Sequence, residues 1–436
     1  MLGLALSGGG FRAAFLHLGV LAQMARRGLL RQVAAISTVS GGSTIGALYC
    51  LRLQRLLQTN PNATDGDYVR LVQGLEVELL RVAQRNLRMR VYLNPLASLR
   101  LPASRLGELF DKYFYGGVRV RDLKLSRPVL VLNTTNLHTG GVWRIEAGSD
   151  SDLPLGLAVA ATAAFPGVYA PVDLPGARVG DGGIRDDLGL ATLVERGCDQ
   201  LLLSDASFQL DEEEGPSVSV LGVALRSVKI LRNELREEQL HRHPPKVLAH
   251  IRKSCPGVAA EVQDRLGRFR IDFDSLTEVE AWSLELYGYR MAEQELAGTP
   301  PVTEATFRFQ AMERWIERPT PDYLRQLDVA SHIFFKPLRL LRPLGVVAAL
   351  AAIGAAVLLG LLWIPVGVLL VPAAAALLLI KPWGPKWLRR PVEAVSRFLV
   401  RGLLPALLSP LVALHLLTLD RLFLLLGRKR RLREPQ

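Results

Sequence analysis

Acidic residues are nearly missing from the C-terminal quarter of this chain: from Lys336 onward there are 15 Lys/Arg and only 3 Asp/Glu. Residues 1–335 balance at 38 of each sign, so the formal net charge of +12 belongs to the tail alone. Cysteine is scarce too. Cys50, Cys198 and Cys255 are too few and too scattered for a disulfide framework or a Cys-rich zinc site, which points to a reducing compartment. Low-complexity segments and internal repeats are lacking. With 49% hydrophobic and 22% charged residues, wholesale disorder and a coiled coil are excluded. No basic n-region precedes the strand-like Leu2–Leu6, so no secretory signal is expected. The 436 residues allow two or three domains.

The tail also lacks any charge over 37 residues, Leu344–Ile380. A nucleic-acid-binding tail has no use for such a run, so the basic excess reads as flanks of a lipid bilayer segment. A straight helix of that length would reach about 55 Å, against a hydrocarbon core of about 30 Å. Pro365 and Pro372 interrupt the run, which predicts a hydrophobic hairpin over 344–380, either two spans or re-entrant. Lys336, Arg339 and Arg342 precede it, and Lys381, Lys386, Arg389 and Arg390 follow it. Both ends are therefore expected on the cytoplasmic side. Trp383 and Trp387 suit the headgroup level. A further apolar stretch, broken by Pro405 and Pro410, predicts a helix over 402–426 lying in the interface, with the basic end 428–433 on anionic lipid. The rival reading is a buried helical core for the whole tail. A composition break near Asp328–Lys336 divides residues 1–330 from a membrane-associated helical region, 336–436.

The amino-terminal part opens as a parallel α/β unit. Leu2–Leu6 reads as a buried strand, Ser7-Gly8-Gly9-Gly10 as a loop, and Phe11–Arg27 as a helix stopped by Gly28. Val33–Thr38 reads as a second strand, Gly41-Gly42 as a break, and Ser43–Leu57 as a second helix. Glycines between strand and helix expose backbone N–H groups where negative charge is stabilised, whether a phosphate or a reaction oxyanion. Dinucleotide binding is disfavoured, because Ala13 stands where that fingerprint ends in glycine and no acidic residue closes the second strand.

A nucleophile elbow needs small residues two positions either side of its serine. Of Ser37, Ser40 and Ser43, only Ser40 sits at the expected break with Gly42 at +2; Thr38 lies at −2. A serine-rich turn without chemistry is the alternative. A serine nucleophile requires a base. None of the seven histidines follows a predicted strand as a triad histidine would, and His17 falls inside the first helix. Asp181, in Val179-Gly180-Asp181-Gly182-Gly183, is the better candidate, because flanking glycines let the backbone present its carboxylate.

These residues resemble the patatin-like phospholipases. Gly8-Gly9-Gly10-Phe11-Arg12-Ala13 is similar to that family's oxyanion-hole loop, Thr38-Val39-Ser40-Gly41-Gly42 to its nucleophile elbow, and Asp181-Gly182-Gly183 to its base motif. Lesser similarities lie at 132–136, 160–167 and Gly288-Tyr289, so the resemblance covers about residues 2–295. Thr38 and Ala13 stand where the family carries glycine. The resemblance implies a patatin-like, mainly parallel sheet flanked by helices, to which the tail adds a C-terminal helical membrane region. It also implies a Ser–Asp dyad: Ser40 as nucleophile, Asp181 as general base, and backbone N–H groups of Gly8, Gly9 or Gly10 as oxyanion donors. No metal or other cofactor is needed. Arg12 is a candidate contact for a lipid phosphate, against pairing with a local carboxylate. The implied substrate is a membrane phospholipid or lysophospholipid. Two rivals keep the fold: an inactive lipid-binding scaffold, and a transacylase using the same residues.

Overall fold

A computed structural model of the chain describes residues 1–93, 102–166, 168–210, 219–333, 336–341 and 404–435. The predicted hairpin 344–380, with Trp383 and Trp387, lies outside the described residues.

Strand β1 (Leu2–Leu6) lies between β2 (Val33–Thr38) and β7 (Gln200–Asp205) and is parallel to both. Strand β3 (Val129–Asn136) extends the parallel set beyond β2, and β8 (Val247–His250) extends it beyond β7. Beyond β3 the sheet turns antiparallel, through β4 (Val142–Glu146), β6 (Ala177–Asp181) and β5 (Val172–Leu174). Parallel strands covered on both faces read as unbroken apolar runs. Leu4, Ala5, Leu6 and Leu203 are accordingly fully buried.

The helices that position the site are α1 (Gly10–Arg26), α2 (Ser40–Thr59), α3 (Asp65–Ala83), α4 (Leu155–Thr162), α5 (Val220–Arg242) and α6 (Glu278–Glu295). Helix α1 is buried from Gly10 to Ala25, because it lies between the sheet and α6. Capping boxes start α3 (Thr64 with Asp67) and α6 (Thr277 with Glu280). Strands β1 and β2 occupy their predicted residues, and α1 begins one residue earlier than predicted.

Helix α2 departs from expectation in an informative way. It begins at Ser40, not Ser43, so Gly41 and Gly42 lie in its first turn. A Cβ on Gly41 would come 2.0 Å from the Gly10 carbonyl oxygen, and one on Gly42 would come 2.3 Å from that of Leu6. The two glycines therefore do not break the chain. They let the helix start directly against the end of β1 and the glycine loop.

Beyond α7 (Pro321–Val329) the chain stays in the body. Lys336 opens the short helix α8 (Lys336–Leu340), and its buried ammonium donates to Asp274 Oδ2 (2.7 Å) and the Ser275 carbonyl (2.7 Å). The described tail forms α9 (Leu404–Leu417) and α10 (Leu419–Leu426). Within it, Ser409–Leu426 is long and apolar enough to cross a membrane by length and composition, with 22% of it buried. Helix α9 exposes Leu411, Leu414 and Leu417. Helix α10 instead packs on the body: Phe423 is buried, and Asp420 accepts from Asn86 Nδ2 (3.0 Å) and Ser275 Oγ. In the basic end, Lys429 lies 4.7 Å from the Trp315 ring centroid and Arg433 pairs with Asp322.

Candidate active site

The loops after β1 and β2 and the end of β6 converge at one end of the sheet. Ser40 is the first residue of α2 and has φ +47°, a strained conformation for a residue with a side chain. Its N–H donates to Thr162 Oγ1 (2.9 Å), at the end of α4, and the Thr162 hydroxyl donates to the Asn133 carbonyl. Asn133 Nδ2 in turn donates to Ser37 Oγ (2.8 Å) and the Thr38 carbonyl (3.0 Å). Asn133 and Thr162 thus brace the turn at Ser40. Thr38 is accommodated as well. Its Oγ1 donates to the Val131 carbonyl (3.2 Å) and lies 2.8 Å from Ser43 Oγ, and its γ-methyl fills space that a Cβ on Gly46 would enter at 2.6 Å.

Asp181 ends β6, and its Oδ1 accepts the Gly183 N–H (2.7 Å). Burial is the largest influence on its carboxyl and, with the nearby Asp187 carboxylate, pushes its pKa up to about 7. Arg232, the Gly183 N–H and the Ser40 hydroxyl pull in the opposite direction. Ser40 and Asp181 line one cavity of about 270 Å³, with Gly9 and Gly10 and an apolar wall that includes Phe165, Val168, Phe208 and Ile271. The guanidinium–carboxylate pair Arg88–Asp272 also lines it.

The glycine loop divides into two parts. Gly8 gives its N–H to the Asp187 carbonyl (3.2 Å) and is not among the residues lining the cavity. Gly9 (φ +139°) and Gly10 (φ +59°) line it, and their N–H groups have no protein acceptor among the described residues. Ala13, in place of the loop's last glycine, is helical and donates its N–H to the Gly9 carbonyl (3.2 Å).

Arg12, the candidate phosphate contact, is not among the residues lining the cavity. It is buried, and its guanidinium donates to the carbonyls of Phe269 (2.9 Å), Ala206 (2.5 Å) and Ser207 (2.8 Å). It braces the chain after β7 against α1 through these carbonyl contacts.

His17 is fully buried, 2.6 Å from Ser204 Oγ and 3.0 Å from the Ser7 carbonyl, and burial lowers its pKa to about 4. It is a neutral packing residue. His250, contrary to expectation, does end a strand, β8, but it faces Asp205 (3.7 Å) outside the cavity.

Sequence reasoning missed Asp187, Arg232 and the Arg88–Asp272 pair. They come from separate segments, and no local motif joins them. Among the described residues, no group of three or more His, Cys, Asp or Glu could hold a metal ion.

The patatin-like phospholipase family model matches residues 4–194, the segment that holds the glycine loop, Ser40 and Asp181. Phe208, Arg232, Ile271, Asp272, Phe273 and Ile333 line the cavity from beyond the matched segment. Among solved structures, the crystal structure of VipD from Legionella pneumophila is similar at 14% identity with a TM-score of 0.34; the likeness covers 68% of this chain and 66% of that chain.

Proposed function

We propose that the protein is a serine lipid acyl hydrolase of phospholipase or lysophospholipase type, held at a bilayer by its C-terminal region. The observation that carries this reading is the shared cavity: a serine on a strained strand-to-helix turn, a buried carboxyl beside it, and two glycine amides, enclosed by apolar walls.

Asp181 in its ionised form takes the proton of the Ser40 hydroxyl as Oγ attacks the ester carbonyl carbon. The carbonyl π electrons move onto oxygen, and the N–H groups of Gly9 and Gly10 stabilise that oxyanion, at roughly 3–4 kcal/mol for each donor. Collapse breaks the ester C–O bond, and the leaving alcohol takes the proton from Asp181. Water, deprotonated by the same carboxylate, then attacks the acyl-enzyme and releases the fatty acid, which restores Ser40. A carboxylate with a pKa near neutrality is suited to both steps. Two features support the membrane part: the uncharged run 344–380 with cationic flanks, and the apolar face of α9. By the charge rule the catalytic body faces the cytoplasm.

The test uses the full chain in detergent and a short-chain monomeric ester. Ser40→Ala should lose at least about a thousandfold in kcat. Asp181→Asn should lose about a hundredfold to ten-thousandfold, because the amide cannot accept the proton. His17→Gln should keep substantial activity. Wild-type turnover by Ser40→Ala would end the nucleophile assignment, and an inactive His17→Gln beside an active Asp181→Asn would replace the dyad with a histidine base.

A further inference from the structure

The charged side chains closest to the proposed base belong to neither motif that supplies nucleophile and base. Asp187 follows the base loop, and Arg232 reaches in from α5. Their ion pair, Arg232 Nη2 to Asp187 Oδ2 at 2.7 Å, is largely shielded from solvent, with side-chain exposures of 17% and 13%. The Arg232 guanidinium lies over two cavity-wall rings, 5.3 Å from the Phe165 centroid and 5.9 Å from that of Phe208.

Three charged groups meet over the α-carbon of Gly183. A Cβ there would come 2.6 Å from Asp187 Oδ1, 2.8 Å from Asp181 Oδ1 and 2.9 Å from Arg232 Nη2. The same Asp187 reaches the other loop. Its carbonyl accepts the Gly8 N–H (3.2 Å), and its Oδ1 fills the place where a Gly8 side chain would begin, 2.3 Å from a Cβ there. One residue therefore touches the glycine loop through its backbone and the base loop through its carboxylate, and Arg232 holds that carboxylate.

We propose that Asp187 and Arg232 are positioning residues of the hydrolytic site, which join the glycine loop to the base loop and set the charge state of Asp181. The proposal rests on the Ser40–Asp181 reading. Two carboxylates in one cradle repel, and without a cation one of them takes up a proton. Arg232 offsets the charge of Asp187, so Asp181 can ionise where a general base is needed. The other groups facing Asp181 leave this role to the pair. Ser40 is uncharged. Arg88 and Asp272, across the cavity, are paired with each other. Asp186 is buried, and its Oδ1 accepts the N–H groups of Leu188 (3.1 Å) and Gly189 (2.7 Å).

The pair is tested by shifts of opposite sign in the pH profile of kcat/KM, measured on the full chain with a monomeric ester. Arg232→Gln leaves Asp187 uncompensated beside Asp181, and the acid limb should move to higher pH by about one unit or more. Asp187→Asn leaves the cation uncompensated, and the limb should move to lower pH by a similar amount. The double variant should return towards the wild-type midpoint, and Arg232→Lys should stay near it. A merely structural ion pair would reduce activity in both single variants without moving the midpoint. Midpoints unchanged within error, or shifted in the same direction, would overturn the proposal. If Arg232→Gln does not fold, Asp187→Asn alone must still shift to lower pH. If Ser40→Ala hydrolyses like the wild type, the underlying reading falls, and this proposal with it; a Ser40-dependent profile indifferent to both substitutions sinks the pair alone.

Discussion

At the scale of single residues, the proposed mechanism predicts a sensitivity to pH, because a base buried this deeply is poised near neutrality. In that mechanism Asp181 must be ionised to accept the Ser40 proton, and its carboxyl is pushed up to about 7, chiefly by burial. Activity should therefore fall as pH falls through about 7, with roughly tenfold lost for each further unit. A pH series of kcat/KM checks this, and an acid limb near the ordinary carboxylate value of about 4 would contradict it. The places of Ser40, at a strand-to-helix turn, and Asp181, at a strand end, were legible because each lies in a short motif whose neighbours are sterically required. Arg12 was not. A guanidinium beside a glycine loop reads as an anion contact, and only the fold reveals the three carbonyls that hold it. The division between Gly8 and Gly9-Gly10 was equally hidden, since it depends on the Asp187 carbonyl far along the chain.

At the scale of elements, the turn that carries Ser40 is held by a relay through α4 and β3. Thr162 Oγ1 is the acceptor for the Ser40 N–H. Thr162→Val removes that acceptor at nearly constant volume and leaves a buried donor unpaired. Stability should drop by about 1–3 kcal/mol, and kcat should fall more than KM changes. Denaturant unfolding together with ester kinetics checks both, and wild-type values for both would show that the relay is dispensable. Strands β1 and β2 were readable because buried parallel strands are continuous apolar runs bounded by turns. Strand β8 was missed because Val247–His250 is short and only partly buried, with no pattern to separate it from a loop. The start of α2 was misplaced because Gly41-Gly42 reads as a break. In the fold the pair answers to the nearness of Gly10 and Leu6, a contact across chain segments.

At the scale of the whole molecule, the tail does not simply leave the body at the composition break. Lys336 is buried against Asp274 and Ser275 and lies 4.2 Å from the centroid of the Phe423 ring, which returns from α10. Asp420 of the same helix binds Asn86 and Ser275. Helices α8 and α10 are thus fastened together at one corner of the body, at Asp274 and Ser275. Lys336→Met strips a cation from this socket and should destabilise the full chain in detergent by about 3 kcal/mol. Unfolding at the wild-type denaturant midpoint would show that the tail contacts do not support the body. Charge and hydropathy both change sharply near Lys336, which is why the sequence reads as dividing there. They could not show the tail's return to the body, which depends on a few buried polar contacts.

The central claim is that Ser40 is the nucleophile, and covalent labelling tests it most directly. A fluorophosphonate probe loses fluoride to an activated serine and remains on its oxygen. Incubated with the purified full chain and mapped by mass spectrometry, it should leave one adduct, on the peptide containing Ser40. That adduct should be absent from Ser40→Ala and weaker below pH 7, where Asp181 is protonated. An adduct on any other serine, or equal labelling of Ser40→Ala, would contradict the account.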